Sequence, residues 1–113
     1  MTIVSTKNGK HYAWGGNCDG WHLVASEDLS VIQEQVPEGA SEIRHLHNKA
    51  EQFFYVLSGI ATLEVDGIVY ELHPNEGFHV SAGIAHTLSN QHKGDLKFLV
   101  VSTPPSHSDR VDA

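Results

Sequence analysis

Two histidines separated by one residue, His45 and His47, are the most promising metal-binding pair in the chain. On a β-strand, side chains at i and i+2 point to the same face, about 6–7 Å apart at a rise of ~3.3 Å per residue. Neutral imidazoles at that spacing can share one metal ion. A third histidine, His86, follows a turn-rich segment, and Glu51 and Gln52 lie between as possible oxygen donors. The pattern predicts one divalent transition metal, and histidine ligands do not distinguish Zn, Fe, Ni and Mn.

Composition excludes several classes of partner. The chain has 113 residues, with 7 Lys+Arg against 14 Asp+Glu, for a formal net charge of −7. Nucleic acids and anionic membranes attract basic surfaces, so neither is an expected partner. One cysteine, Cys18, cannot form a disulfide within the chain, and no apolar run approaches the ~18 residues of a membrane span. We therefore expect a cytoplasmic protein, with Cys18 in a turn and not a nucleophile.

Short β-type runs recur along the chain, whereas no long helical periodicity is present. Asp66-Gly67 is a strong type I′ hairpin signal, because both central residues of that turn need a positive φ. Many short strands between turn signals predict an all-β barrel or sandwich. The predicted strands are Trp21–Ala25, Leu29–Val36, Ser41–His47, Gln52–Leu57, Ala61–Val65, Ile68–Leu72, Gly77–Val80, His86–Ser89 and Leu96–Ser102.

Two spaced motifs resemble those of the cupin superfamily. The first runs from Gly39 through five residues to His45-Leu46-His47, then four residues to Gln52 and six to Gly59. The second runs from Asn75 through five residues to Ser81-Ala82-Gly83, then His86 and, after three residues, Asn90. The spacing is kept in both, although Gln52 stands at the usual glutamate position, Asn75 at a glycine and Ser81 at a proline.

The resemblance implies a small single-domain cupin over residues 1–113. Its fold would be a double-stranded β-helix, or jelly-roll β-barrel, with motif 1 at about 39–59, motif 2 at about 75–90 and an irregular tail at 103–113. A metal near the barrel centre and a homodimer are also implied. His45, His47 and His86 would bind the metal from two strands.

The fourth ligand is open between Gln52 and Glu51. The motif spacing and strand alternation favour Gln52, which shares a face with Phe54, a candidate lining residue of the cavity. Glu51 would serve only if the turn before it is tighter. An amide in place of a carboxylate leaves a divalent site with a net charge of about +2 instead of about +1. Such a site favours anionic, oxygen-chelating ligands.

Two functions follow from these residues. The first is a metal-dependent enzyme acting on a small oxygenated or carboxylated metabolite, as an isomerase, a lyase or a dioxygenase. Its catalytic residues are unknown, with Glu51 and His79 as weak candidates. The alternative is a non-catalytic module that binds a metal and a small-molecule ligand. A dimeric barrel with a vestigial site is a third possibility.

Overall fold

The computed structural model describes residues 2–106 and 109–113, and these residues form eleven β-strands. Among them no helix has the length and apolar character needed to cross a membrane. The strands are β1 Lys10–Trp14, β2 Cys18–Ala25, β3 Ser30–Val36, β4 His45–His47, β5 Glu51–Ser58, β6 Ala61–Val65, β7 Ile68–Leu72, β8 Gly77–Val80, β9 His86–Ser89, β10 Leu96–Thr103 and β11 Arg110–Asp112.

The strands form two antiparallel sheets. One has six strands in the order β1-β2-β3-β10-β5-β8, and the other has five in the order β11-β4-β9-β6-β7. Strands that are distant in sequence are neighbours in both sheets, as in the pairing of β10 with β3 and β5 and of β4 with β9. This arrangement is the predicted jelly-roll fold.

The core lies between the inner faces of the two sheets. On β5, Gln52, Phe54 and Val56 are buried, whereas Glu51 and Phe53 are exposed, which is the alternation that the sequence predicts. The same period places polar side chains, including the histidines of β4, on inner faces beside apolar ones. The largest fully buried apolar side chains are Phe98, Leu63, Leu88, Leu96, Val36 and Val56.

The predicted turns have the expected backbone. Asp66 and Gly67 have φ values of 51° and 88° and join β6 to β7, as a type I′ turn requires. Asn75, at the usual glycine position of the second motif, has a φ of 69°, which asparagine tolerates. At Gly59, with a φ of 85°, a Cβ would also lie 2.7 Å from the carbonyl oxygen of Asp95. This position therefore requires glycine.

Four sequence predictions need correction. Lys10–Trp14 forms a strand that the sequence did not suggest, and Arg110–Asp112 pairs with β4, so the tail is not irregular there. Only His45–His47 of the predicted strand over 41–47 is extended, apart from a single bridge between Ser41 and Ser89. Cys18 is the first residue of β2 and is buried, not in a turn.

Candidate metal centre and cavity

The three histidines of the two motifs meet between adjacent strands. His45 and His47 lie on one face of β4, and His45 is directly opposite His86 on β9. A nitrogen from each ring lies within 4.8 Å of the others, a separation that one metal ion can bridge. The exposed fractions of His45, His47 and His86 are only 4%, 5% and 1%. The structure thus brings together the histidines that the spacing predicts.

Hydrogen bonds fix which nitrogen of each ring carries the proton. Nδ1 of His45 lies 2.8 Å from the carbonyl oxygen of Ile43, and Nδ1 of His86 lies 2.9 Å from that of Ile84. A carbonyl oxygen only accepts, so both Nδ1 atoms donate. In a neutral imidazole the other nitrogen, Nε2, then presents a lone pair. Both rings are therefore oriented as metal ligands.

Asp109 performs the same role for His47. Nδ1 of His47 lies 3.0 Å from Oδ1 of Asp109, whose Oδ2 accepts the backbone N–H groups of Lys49 and Ala50 at 2.8 and 3.0 Å. Partial burial opposes ionisation of Asp109, but these three donors together lower its pKa. The ionised carboxylate holds the His47 proton on Nδ1. Within the described chain, the buried Nε2 of His47 has no hydrogen-bond partner.

Burial holds two of the three histidines, His45 and His86, in the neutral form. Burial lowers the pKa of His45 to about 4, with a smaller contribution in the same direction from the charge of Arg110. Burial also lowers the pKa of His86. Neutral imidazole is the form that binds a metal, so these rings do not have to lose a proton near pH 7 to do so.

Gln52 directs its amide oxygen at the histidines. Its Nε2 donates to the hydroxyl of Ser102 at 3.0 Å and lies 3.4 Å from that of Ser106. Its Oε1 lies 3.1 Å from Nε2 of His86, which has a lone pair of its own when Nδ1 carries the proton. Two acceptors face each other at that point, and a cation between them would satisfy both. The donor set of three Nε2 atoms and one amide oxygen fits a divalent transition metal.

The two weak catalytic candidates, Glu51 and His79, lie elsewhere. They occupy the outer face of the six-stranded sheet, where Nε2 of His79 is 2.8 Å from Oε1 of Glu51. The side chain of Glu51 is 56% exposed and that of His79 is 54% exposed. Glu51 therefore points away from the histidines, and neither residue lines the cavity next to them.

A cavity of about 500 Å³ opens beside the histidines. His45, His47 and Gln52 form part of its wall, so a ligand inside it can reach the metal position. Its apolar lining is supplied by Trp14, Ile32, Phe54 and Val100. Phe54 thus lines the cavity as the strand alternation predicts.

A second polar group, which we call the carboxyl cluster, lines the same cavity and consists of Tyr12, Glu34, Glu42 and Arg110. The Tyr12 hydroxyl donates to Oε2 of Glu34 at 2.8 Å, and the backbone N–H of Leu88 donates to Oε1 of Glu42 at 3.0 Å. Burial raises the pKa of Glu34 to about 7. Burial, and then the charge of Glu34, raise that of Glu42 to about 8. Both carboxyls therefore exchange protons near neutral pH.

The sequence contained a partial signal for this cluster. Ser30, Ile32, Glu34 and Val36 alternate along β3, so an acid lies among residues that face inward. A carboxylate on an apolar face is unusual and indicates a functional or paired group. Tyr12 and Arg110 gave no such signal, because they lie on β1 and β11, the strands that the sequence did not suggest. Asp109 was missed for the same reason.

Comparison with solved structures places the fold among known proteins. A conserved protein with a double-stranded β-helix domain from Klebsiella pneumoniae superposes with a TM-score of 0.82, 21% identity and coverage of 100% of this chain and 97% of that one. A predicted oxalate decarboxylase from Thermotoga maritima superposes with a TM-score of 0.84, 18% identity and coverage of 92% and 100%. At these identities the likeness shows the fold alone.

Sequence comparison identifies the family. An uncharacterized protein of Methanocaldococcus jannaschii is 28% identical over 81 residues, which is 71% of this chain and 65% of that protein. The chain thus matches less than two thirds of the length of that curated relative. The family described as Cupin domain matches residues 32–102, which include both histidine motifs. The chain therefore belongs to the cupin family.

Proposed function

We propose that this cupin is a metal-dependent enzyme acting on a small oxygenated or carboxylated metabolite. One divalent transition metal, Zn, Fe, Ni or Mn, would be held by His45, His47, His86 and Gln52. The observation that carries the proposal is the shared orientation of the three imidazoles, whose Nδ1 atoms all donate and whose Nε2 atoms converge. When bound, the ion would supply Lewis acidity toward a substrate oxygen.

The chain itself would contribute orientation, exclusion of water and proton transfer. Apolar side chains of the cavity, Trp14, Ile32, Phe54 and Val100, would exclude bulk water from a bound ligand. Arg110, which lines the same cavity as the carboxyls, would offer its remaining guanidinium N–H groups to an anionic substrate group. The neutral amide of Gln52 keeps the metal site more positive than a carboxylate would, which also favours an anionic ligand.

Two further observations support a carboxylated or oxygenated substrate. The cavity lining combines polar groups with apolar side chains, which suits a small molecule that carries oxygens. The structural relative from Thermotoga maritima is described as a predicted oxalate decarboxylase. At 18% identity this likeness adds only that the fold can host such a ligand.

Metal analysis of the purified protein tests the proposal. We expect one equivalent of a divalent transition metal per chain, in the protein as isolated or after reconstitution, and its loss in a His86→Ala variant. Glu51→Gln is the matched control, because Glu51 lies on the outer face of the sheet. Wild-type protein that takes up no metal from Zn, Fe, Ni or Mn would contradict the proposal. A His86→Ala variant with wild-type affinity would refute the ligand assignment.

The alternative proposal, a non-catalytic module, uses the same ligands and cavity. It is favoured by the position of Glu51 and His79 outside the cavity, which removes the two bases considered from the sequence. It differs in requiring no proton-transfer group. Metal-loaded protein that binds small carboxylates and changes none of them would support it.

A homodimer and a cytoplasmic location complete the proposal. The edge strand β7 exposes Ile68 and Val69, whose exposed fractions are 58% and 64%. Apolar side chains along an unpaired sheet edge are compatible with pairing to a second copy. Light scattering during gel filtration tests this, and a monomer mass at micromolar concentration would contradict it.

A further inference from the structure

The carboxyl cluster is the second polar centre of the cavity, and metal binding does not require it. Tyr12 comes from β1, Glu34 from β3, Arg110 from β11 and Glu42 from the segment before β4. Four separate parts of the chain thus place polar groups in the lining of one cavity. Placing two carboxyls there is unfavourable for folding, because each loses hydration and each repels the other when charged. Such an arrangement is typical of groups that exchange protons with a ligand.

We propose that Glu34 is the proton-transfer residue of this cavity and that Tyr12 positions it. The inference rests on the proposed function and names its substrate class, a small carbonyl compound with a hydrogen on the carbon next to the carbonyl. Tyr12 donates to Oε2 of Glu34, which fixes the carboxyl and leaves Oε1 for the substrate.

Glu34 fits the role better than Glu42. Oε1 of Glu42 accepts a backbone N–H from Leu88, which anchors that carboxyl to β9. Burial raises the pKa of both carboxyls, to about 7 and about 8, so the pair gives up its first proton near neutral pH. The Glu34 carboxyl is the one held by a side chain of the cavity, the Tyr12 hydroxyl. A group half ionised near neutral pH can both accept and return a proton.

The step is balanced by groups already present. The Glu34 carboxylate takes the proton from the carbon next to the carbonyl, and the electron pair of that C–H bond forms a C=C bond. The π pair of the carbonyl moves to its oxygen, which gives an enolate. Return of a proton from Glu34 to carbon reverses the step, and no oxidant or reductant is needed. Arg110 lies near enough to lower the pKa of Glu34 and would offset part of the enolate charge.

Hydrogen–deuterium exchange into two simple carbonyl compounds tests the proposal. Zinc-reconstituted protein is incubated in D₂O with pyruvate or dihydroxyacetone, and loss of the C–H signal is followed by proton NMR. With at least one probe, we expect the wild-type protein to catalyse exchange about 100-fold faster than His86→Ala. Glu34→Gln should be slower than the wild type by at least about 100-fold. The glutamine keeps the size of Glu34 and accepts the Tyr12 hydrogen bond but cannot take a proton.

Controls separate this inference from the metal site. Zinc content is measured for every variant, and Glu51→Gln should exchange at the wild-type rate. Zinc-loaded wild-type protein with no exchange above the His86→Ala background on either probe overturns the role of Glu34 and leaves the metal site intact. Wild-type exchange by Glu34→Gln overturns it as well. Failure to bind zinc is instead a failure of the proposed function.

Tyr12→Phe tests the positioning role. The hydrogen bond from Tyr12 lowers the pKa of Glu34, so its removal should move the pH midpoint of exchange upward. The charged and titratable groups that line the same cavity as Glu34 are Tyr12, His22, Glu42, His45, His47 and Arg110. Glu42→Gln is the control and should move the midpoint little, because Glu42 still carries its proton when Glu34 ionises. A Tyr12→Phe midpoint that stays in place, moves downward or moves no further than that of Glu42→Gln contradicts the assignment.

Discussion

The two polar centres of the cavity are built in opposite ways. At the candidate metal centre, every histidine has an accepting neighbour at Nδ1, and burial lowers the pKa of His45 and His86, so these two rings are neutral near pH 7. At the carboxyl cluster, burial leaves Glu34 and Glu42 with raised pKa values, so they hold protons near neutral pH. Desolvation acts on both, yet it leaves a base ready to bind a cation and an acid ready to give up a proton. Desolvation thus gives the same cavity both neutral metal-binding imidazoles and protonated carboxyl groups.

The largest expected effect is on the pH dependence of stability without metal. His45 has a pKa of about 4 in the folded protein against 6.5 unfolded, so the unfolded chain binds more protons between these values. Its contribution to the free energy of unfolding is present above pH 6.5 and is lost as the pH falls to 4 and below, by about 3 kcal/mol. Urea unfolding of chelator-treated protein measures this loss.

The carboxyl cluster should act with the opposite sign. Glu34 and Glu42 have folded pKa values above their usual 4.5, so the folded chain binds more protons. Their contribution to the free energy of unfolding is present below pH 4.5 and is lost as the pH rises through 7 to 8. The double variant Glu34→Gln, Glu42→Gln should lose the alkaline decline and keep the acidic one. If the variant and the wild type show the same dependence of stability on pH, the carboxyl cluster does not act with the opposite sign to His45.

Replacing the residue that accepts a hydrogen bond from a histidine Nδ1 should lower metal affinity without changing the carboxyl cluster. Asp109→Asn replaces a carboxylate that orients His47 with a neutral amide, and we expect metal affinity to fall about 10–100-fold. Competition with a chelating dye measures this. Glu42→Gln, in the carboxyl cluster, is the control and should change affinity far less. Equal losses in both variants would mean that the centres are coupled.

A smaller effect is expected at the fourth ligand. Gln52→Glu adds a negative charge where Oε1 now faces His86, and divalent metals should bind about tenfold tighter. The Ser102 hydroxyl can donate to the new carboxylate, which offsets part of the cost of burying a charge in the metal-free protein. Unchanged affinity would place the side chain of residue 52 outside the metal centre. Gln35→Glu, also a glutamine on a strand of the six-stranded sheet, is the matched control.

Much of the fold and the histidine cluster could be predicted from sequence. The bounds of Ala61–Val65, Ile68–Leu72, Gly77–Val80 and His86–Ser89 are those predicted, because each strand is delimited by turn residues of definite backbone preference. The three histidines were predictable because a period of two and a repeated motif spacing place them without knowledge of distant contacts.

The carboxyl cluster and Asp109 could not be predicted in the same way. Lys10–Trp14 and Arg110–Asp112 are strands because of the partners they find, β2 and β4, and not because of their own apolar content. All three residues of Arg110–Asp112 are exposed. A long-range pairing of this kind leaves no local periodicity. Residues that depend on such pairings, including Tyr12 and Arg110, become visible only in three dimensions.

The link between His47 and Asp109 has a consequence for the end of the chain. Sixty-two positions separate the two residues, and Asp109 lies directly before β11, which pairs with β4. A polypeptide shortened before Asp109 would keep His45, His47 and His86 but lose the carboxylate that orients one of them. The last few residues therefore decide how well the histidine cluster is ordered, although they contribute little to the apolar core.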